Sequence, residues 1–290
     1  MIFVFQTKNA SFKFLEAFAN NSGHQVKIFK NIENEGEEFY NYSWPDFEMN
    51  NDVEFCFQGL IRGAEKLKPY MKTNRWYYFD QPYFYCTDYK NHNDFGDQWY
   101  RINVNDVQTN KISDNQKHLD RYNKLLNTSR NEIQLKKWKK SGDHILVVPP
   151  SYHTAKWYDI DEEQWVKDIV KEIKKYTDRP IRVRYKYKNG VKFGDRVDKD
   201  NPLQNDLRKC HAIVSFHSMC ASHAVREGVP SFCSEYSPAA PVSLLLDQLD
   251  KIENPIRPDR ERWMATLLGS QFTLSEMKSG FAYKYINNEF

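Results

Sequence analysis

The sequence predicts a two-domain α/β protein, and three observations carry that prediction. The stretch Cys210–Pro230 with Ser231-Phe232-Cys233 reads as strand, turn, helix and strand, a βαβ unit that implies a parallel sheet. The first eighty residues alternate short apolar runs with helical patterns. The length, 290 residues, is enough for one large or two ordinary domains, each with its own core.

The elements follow in order. Ile2–Phe5 is a first buried strand, too short for a signal segment or a membrane span. Ser11 caps a helix with Phe14, Leu15 and Phe18 on one face, and a second strand covers 26–29. Residues 31–52 read as a long polar loop. A third strand covers 53–57, a helix runs from Gly59 through Leu67, and a fourth strand, 76–79, ends at Asp80. Residues 85–110, rich in Tyr, Asn and Asp, read as a functional loop. A helix spans 113–130. The cluster Lys136-Lys137-Trp138-Lys139-Lys140 is either a solvated helix end or a nucleic-acid contact.

Ser141-Gly142-Asp143 marks a domain boundary, so the expected division is 1–140, 141–255 and a helical tail, 256–290. Strand 145–148 ends in Pro149-Pro150-Ser151. Helix 161–176 opens with the capping pair Asp161 and Gln164 and is expected to bury Trp165, Ile169 and Ile173. Residues 181–186 alternate as a strand, and 203–210 form a short helix. Strand 212–216 leads through His217-Ser218 into a helix that Ser218 caps and Gly228 stops. Helices are expected over 242–249, 260–268 and 274–285.

Composition narrows the function. Forty-two basic residues against thirty-nine acidic give a net charge of +3, which excludes a non-specific nucleic-acid coat and leaves room for a local basic face. Aromatics reach 15%, enough for surfaces that stack sugars or bases. Five scattered cysteines without C-x-x-C read as reduced thiols in a cytosolic protein. No P-loop, G-x-G-x-x-G, G-x-S-x-G or zinc spacing occurs. Asp159-Ile160-Asp161 has the spelling of a metal-binding D-x-D but suits a helix start, so no metal is expected.

Three sets of residues are candidates for chemistry. Asp80 sits at the carboxyl end of a strand, where open α/β sheets place ligands; it either takes a proton from an acceptor hydroxyl or caps the turn before Pro82. Gln81, Tyr83 and Tyr85 then line the acceptor side. Arg182, Arg184 and Lys186 share strand parity, and such a row fits either a diphosphate or a solvated edge. Ser151, His217 and Ser218 lie at strand ends beside a helix start, which is an anion site or an ordinary capped turn.

The strand, polar turn, helix and Gly228-Val229-Pro230 resemble the C-terminal domain of GT-B-type glycosyltransferases. Together with Tyr78-Phe79-Asp80-Gln81-Pro82-Tyr83-Phe84, Val148-Pro149-Pro150-Ser151 and 271–280, the chain is similar to phage-encoded members, including those that glycosylate hydroxymethylated DNA bases. The resemblance implies two Rossmann-like domains, with a C-terminal helical segment packing back on the first. It implies a nucleotide-sugar donor, a UDP-sugar foremost, bound by the second domain without a further cofactor. Asp80 becomes the base, and the acceptor a hydroxymethylated pyrimidine such as 5-hydroxymethylcytosine in double-stranded phage DNA. It also implies a reaction in the host cytoplasm, with no membrane involved. Where many GT-B proteins carry a ribose-binding Glu, this chain has His223, and the nearest acid is Glu227. The alternatives are the same chemistry on a glycan or protein hydroxyl, or a non-catalytic nucleic-acid-binding module.

Overall fold

The computed structural model describes residues 1–6, 12–30, 32–33, 42–60, 63–84, 99–127, 133–185 and 202–288. It is a mixed α/β structure with two main sheets. The chain divides into two compact units, Met1–Val107 with Leu268–Phe290, and Gln108–Leu267.

The first unit contains β1 (Ile2–Gln6), α1 (Phe12–Asn20), β2 (Val26–Lys30), β3 (Ile32–Glu33), β4 (Tyr42–Ser43), β5 (Glu54–Gln58), β6 (Trp76–Asp80) and β7 (Trp99–Val104). Its sheet has the order β13-β7-β6-β5-β1-β2, where β13 is Gln271–Thr273. Strands β2, β1, β5 and β6 run parallel, and β7 is antiparallel to both β6 and β13. Phe14, Leu15 and Phe18 of α1 are buried against Tyr77, Phe79 and Tyr100 of the sheet. Phe14 stacks on Tyr100 with centroids 3.7 Å apart. The C-terminal α8 (Leu274–Lys278) and α9 (Phe281–Ile286) add Met277, Tyr283 and Tyr285 to the same core.

Several elements here differ from expectation. The 31–52 stretch includes the paired strands β3 and β4. A short 3-10 turn, Ala64–Leu67, lies where a helix from Gly59 to Leu67 is expected, and a second, Tyr70–Lys72, follows it. Part of the expected 85–110 loop is β7, a full strand. The tail is not all helix: β13 precedes α8, and Gly280, at φ +75°, separates α8 from α9.

The second unit contains α2 (Gln116–Leu126), β8 (His144–Val148), α3 (Tyr152–Tyr158), α4 (Glu162–Ile173), β9 (Ile181–Val183), α5 (Leu203–Leu207), β10 (Cys210–Ser215), α6 (Met219–Arg226), β11 (Ser231–Cys233), β12 (Leu244–Leu245) and α7 (Glu261–Gly269). Its sheet has the order β12-β11-β10-β8-β9 and every pairing is parallel, so all carboxyl ends share one edge. One face carries Ile145, Val147, Ala212 and Val214 against α4. The other carries Leu146, Val148 and Ile213 against Leu207 of α5 and Ala224 of α6.

Asp161 caps α4 by accepting from the Gln164 N–H at 2.9 Å. The residues α4 buries most deeply are Val166 and Ile173, while Trp165 and Ile169 are only partly covered. Truncating Trp165 therefore costs less than the ~3–5 kcal/mol of a fully buried Trp. In place of a helix over 242–249 stand a 3-10 turn, β12 and a second 3-10 stretch, Leu246–Lys251.

The units meet in sequence at 107/108 and 267/268, not at 140/141 and 255/256. Residues 133–140 form a strap within the second unit. The Lys136 N–H donates to the Arg226 carbonyl at 2.9 Å, and the Lys139 N–H to that of Gly228 at 2.8 Å. Trp138 Nε1 donates to the Pro258 carbonyl, and the Arg260 guanidinium lies 3.9 Å from the Trp138 ring centroid. Lys136 pairs with Glu227 at 2.5 Å, and Lys139 Nζ bonds the Leu207 and Arg208 carbonyls. Lys136 and Lys139 thus bond within their own unit, while Lys136, Lys137 and Lys140 remain exposed. Gly142 follows the strap, and a Cβ there would lie 2.4 Å from the backbone of Cys210 and His211, so Ser141-Gly142-Asp143 is a close backbone crossing inside the unit.

Candidate functional site

In the first unit Asp80 ends β6, and the antiparallel register sets it opposite Arg101 of β7. Arg101 is 4% exposed, yet its Nη2 donates to Asp80 Oδ2 at 2.8 Å and its Nη1 to the Gln81 carbonyl at 3.1 Å. The Tyr78 hydroxyl donates to the same Oδ2 at 2.9 Å, and the Gln81 N–H donates to Oδ1 at 2.8 Å. Burial, and then the Asp80 charge, hold the Tyr78 phenol well above its ordinary range, so it stays a neutral donor. Three donors fix the rotamer of a carboxylate that keeps 33% of its side chain open to solvent. A carboxylate offers about four lone-pair sites, so about one remains open here.

The three expected acceptor-side residues fall in different surroundings. Gln81 is exposed, and Tyr85 lies outside the described residues. Tyr83 is corrected to a core residue: it is fully buried and its hydroxyl donates to Asn103 Oδ1 at 3.2 Å. Gln271 of β13 clamps this turn, accepting from the Tyr83 N–H at 3.0 Å and donating to the Phe84 carbonyl at 2.8 Å.

In the second unit the turns after β8 and β10 are neighbours, because Val148 pairs with Ser215. Ser151 caps α3, its Oγ 3.1 Å from Thr154 Oγ1, and Ser218 caps α6 by accepting from the Cys220 N–H at 3.2 Å. The positive end of the α6 dipole therefore lies at the carboxyl edge. The Ser215 hydroxyl, just before this turn, is fully buried and has no hydrogen-bond partner among the described residues. His217 is buried, packed 5.5 Å from the Tyr158 ring.

Arg182 pairs in register with Leu146, so it and Arg184 belong to the sheet face that α6 covers. Strand β9 stops at Val183, and Lys186 lies outside the described residues. Arg182 is exposed. Arg184 is 17% exposed and already forms an ion pair with Asp206 of α5, so the expected row of free cations is corrected to one solvated and one partnered arginine.

The ribose candidates are not at this edge. Glu227 closes the opposite end of α6, nine residues and so about 13–14 Å along the axis from Ser218. Burial alone would raise the Glu227 carboxyl, but Lys136 and Arg226 hold it below the ordinary range. His223 lies between, on α6, and its imidazole is pushed down to about 4 by burial and by Arg226.

His223 is one of four such histidines in this unit. Burial, then Lys117 and Arg121, pushes His118 down to about 4; burial, then Arg182, lowers His144; and burial, then Arg179, lowers His211. Depressed histidines favour folding while neutral. Their contribution is complete above about pH 6.5 and is lost as pH falls towards the folded values near 4. Chemical denaturation should show stability falling below pH 6.5 by up to about 1.4 kcal/mol per pH unit for each histidine that charges only on unfolding. A flat denaturation midpoint from pH 7 to pH 5 would contradict this.

Sequence reading missed the aromatic cluster at this edge. Tyr158 packs edge-on to Phe216 at 5.3 Å and stacks with Tyr236 at 5.1 Å and 28°. It also missed Arg101 and Gln271, polar residues buried within strands. The sign available in the sequence was the alternation Trp99-Tyr100-Arg101-Ile102-Asn103-Val104.

Among the described residues no group of three or more His, Cys, Asp and Glu side chains is placed to hold a metal ion, and no helix is long and apolar enough to cross a membrane. No family model and no curated protein matches the chain. Two similar solved structures are both described as KpsC of Thermosulfurimonas dismutans. The beta Kdo 2,4 transferase is 10% identical with a TM-score of 0.47, over 91% of this chain and 89% of that one. The beta Kdo 2,7 transferase is 10% identical with a TM-score of 0.48, over 100% of this chain and 99% of that one. Likeness at that level carries no argument about this chain, and the functional reading rests on its own residues.

Proposed function

We propose that the protein is a glycosyltransferase that moves a sugar from a nucleotide-sugar donor to a hydroxyl, with its two α/β units corresponding to the Rossmann-like domains of a GT-B-type enzyme. The observation that carries the reading is the carboxyl edge of the second unit's sheet. There the Val148–Ser215 pairing makes neighbours of two turns, one leading to Ser151 and the other from the unpartnered Ser215 hydroxyl to the Ser218-capped start of α6, and strand parity assigns Arg184 to the Leu146 face. A leaving diphosphate is a concentrated negative charge that needs such donors. Asp80, held by Arg101 and Tyr78, is the base for the acceptor hydroxyl. The donor is a UDP-sugar. The acceptor proposed is a hydroxymethylated pyrimidine in double-stranded DNA; this part rests on the motif resemblance and not on charge.

Thermal-shift titration tests the donor site, because a ligand selective for the folded state must raise apparent stability. Arg184→Ala and Ser218→Ala should each weaken UDP, Arg184→Ala more, since charge-assisted contacts are stronger than neutral ones. Removing Arg184 alone also takes a cation away from Asp206, so the comparison includes Arg184→Ala with Asp206→Asn. UDP binding at wild-type strength in that double variant and in Ser218→Ala would remove the diphosphate assignment. Transfer from a UDP-sugar to a duplex with and without hydroxymethylated bases tests the acceptor.

A further inference from the structure

The second unit's carboxyl edge carries rings that neither phosphate binding nor the core accounts for. Tyr236 follows β11 and is 41% exposed, which is unusual for an aromatic held so firmly. Its ring stacks on Tyr158, at the end of α3, with centroids 5.1 Å apart and planes 28° from parallel. Tyr158 meets Phe216 edge-on at 5.3 Å and lies 5.5 Å from His217. The loop is pinned: the Ser234 N–H and hydroxyl both donate to the Phe216 carbonyl, at 3.0 and 2.5 Å, and the Ser237 N–H donates back to Ser234. The loops after β11 and β10 and the end of α3 thus build one aromatic surface whose outer ring faces solvent.

We infer that this surface is the platform for a nucleobase, with Tyr236 as the stacking ring. The inference rests on the donor reading above and says which part of the donor these residues meet. Chain position supplies the argument. Phe216 and His217 belong to the aromatic cluster, and the next residue, Ser218, caps α6 at its anion-binding end. One turn therefore offers ring contact and anion contact side by side. A sugar phosphate or pyrophosphate would use only the second. A nucleoside diphosphate, a flat ring tethered to two phosphates, uses both. Stacking also accepts any base, because each presents a π face, so the platform sets where the base lies more than which base it is.

The test is calorimetric binding of UDP, CDP, ADP, GDP and pyrophosphate to the full chain and to Tyr236→Ala and Tyr236→Phe. Tyr236 is exposed and has no role in the core, so the fold survives either change, which a melting curve verifies. Tyr236→Ala should weaken nucleoside diphosphates about five- to a hundredfold, the range of base–aromatic stacking, while pyrophosphate binds as before. Tyr236→Phe keeps the ring and should keep the affinity. Undiminished UDP binding by Tyr236→Ala overturns the platform and leaves the donor reading standing. Equal weakening of pyrophosphate and UDP also overturns it, since the ring would then merely shape the anion site. A wild-type chain that binds none of the four nucleotides refutes the donor reading, and the platform with it.

Discussion

Asp80→Asn is expected to lower sugar transfer by about a hundredfold to ten-thousandfold, the usual cost of losing a general base. The change keeps the shape of the side chain but replaces a carboxylate oxygen with an NH2 group. If the amide oxygen faces Arg101 and Tyr78, the NH2 group meets the Gln81 N–H, which had donated to Oδ1 at 2.8 Å. Melting curves must therefore accompany the rates. A partner variant shows whether Arg101 acts through Asp80. Lysine in its place offers one flexible donor nitrogen where the planar guanidinium sets Nη2 on the carboxylate and Nη1 on the Gln81 carbonyl. Arg101→Lys should lower transfer about ten- to a hundredfold by misplacing the base. In the Asp80→Asn background the same change should cost little more, because residues that act as one unit are not additive. Wild-type turnover by Asp80→Asn would end the base assignment. Additive losses would make Arg101 a structural residue only.

Gly228→Ala is expected to destabilise the second unit by about 2–5 kcal/mol. Gly228 has φ +79°, a left-handed conformation that costs an L-residue about 1–2 kcal/mol. A Cβ there would also lie 2.1 Å from the Lys137 carbonyl oxygen and 2.9 Å from its carbon, both main-chain atoms that cannot swing away. The strap would have to lift, losing hydrogen bonds such as Lys139 N–H to Gly228, each worth roughly 0.5–1.5 kcal/mol. A denaturation midpoint within error of wild type would mean that the strap crosses with more room than this. The glycine of Gly228-Val229-Pro230 thus has a backbone reason to be there, independent of any donor.

The part of the fold that could be read from sequence was the part written in local signals. Strand β10, its capping Ser218, helix α6 and the stop at Gly228 depend on neighbours within twenty positions, so propensity and caps sufficed. Strands β7 and β13 escaped notice because their buried polar residues look like surface residues until their partners are known. Arg101 needs Asp80, twenty-one positions earlier, and Gln271 needs the turn at Tyr83 and Phe84, nearly two hundred away. The site divides the same way. Asp80 and Ser218 were visible as strand-end and helix-start residues, whereas the engagement of Arg184 with Asp206, the burial of Tyr83 and the meeting of Tyr158 with Tyr236 are tertiary facts. The basic cluster at Lys136–Lys140 could be read two ways from sequence, and only the tertiary structure shows that Lys136 and Lys139 bond within their own unit while Trp138 meets the Arg260 guanidinium.

The first unit is assembled from both ends of the chain, and that makes its folding wait. On the ribosome, residues 1–107 emerge early, but the sheet cannot close over β7 until Gln271–Thr273 arrives, after the whole of the second unit. In that interval β7 presents an unpaired edge bearing Trp99 and Tyr100, the kind of edge that recruits foreign strands. The contiguous second unit suffers no such delay. Newly made chains are therefore most prone to aggregation through their first hundred residues, and a nascent chain stalled before residue 271 leaves the Asp80 turn without the Gln271 clamp that holds it.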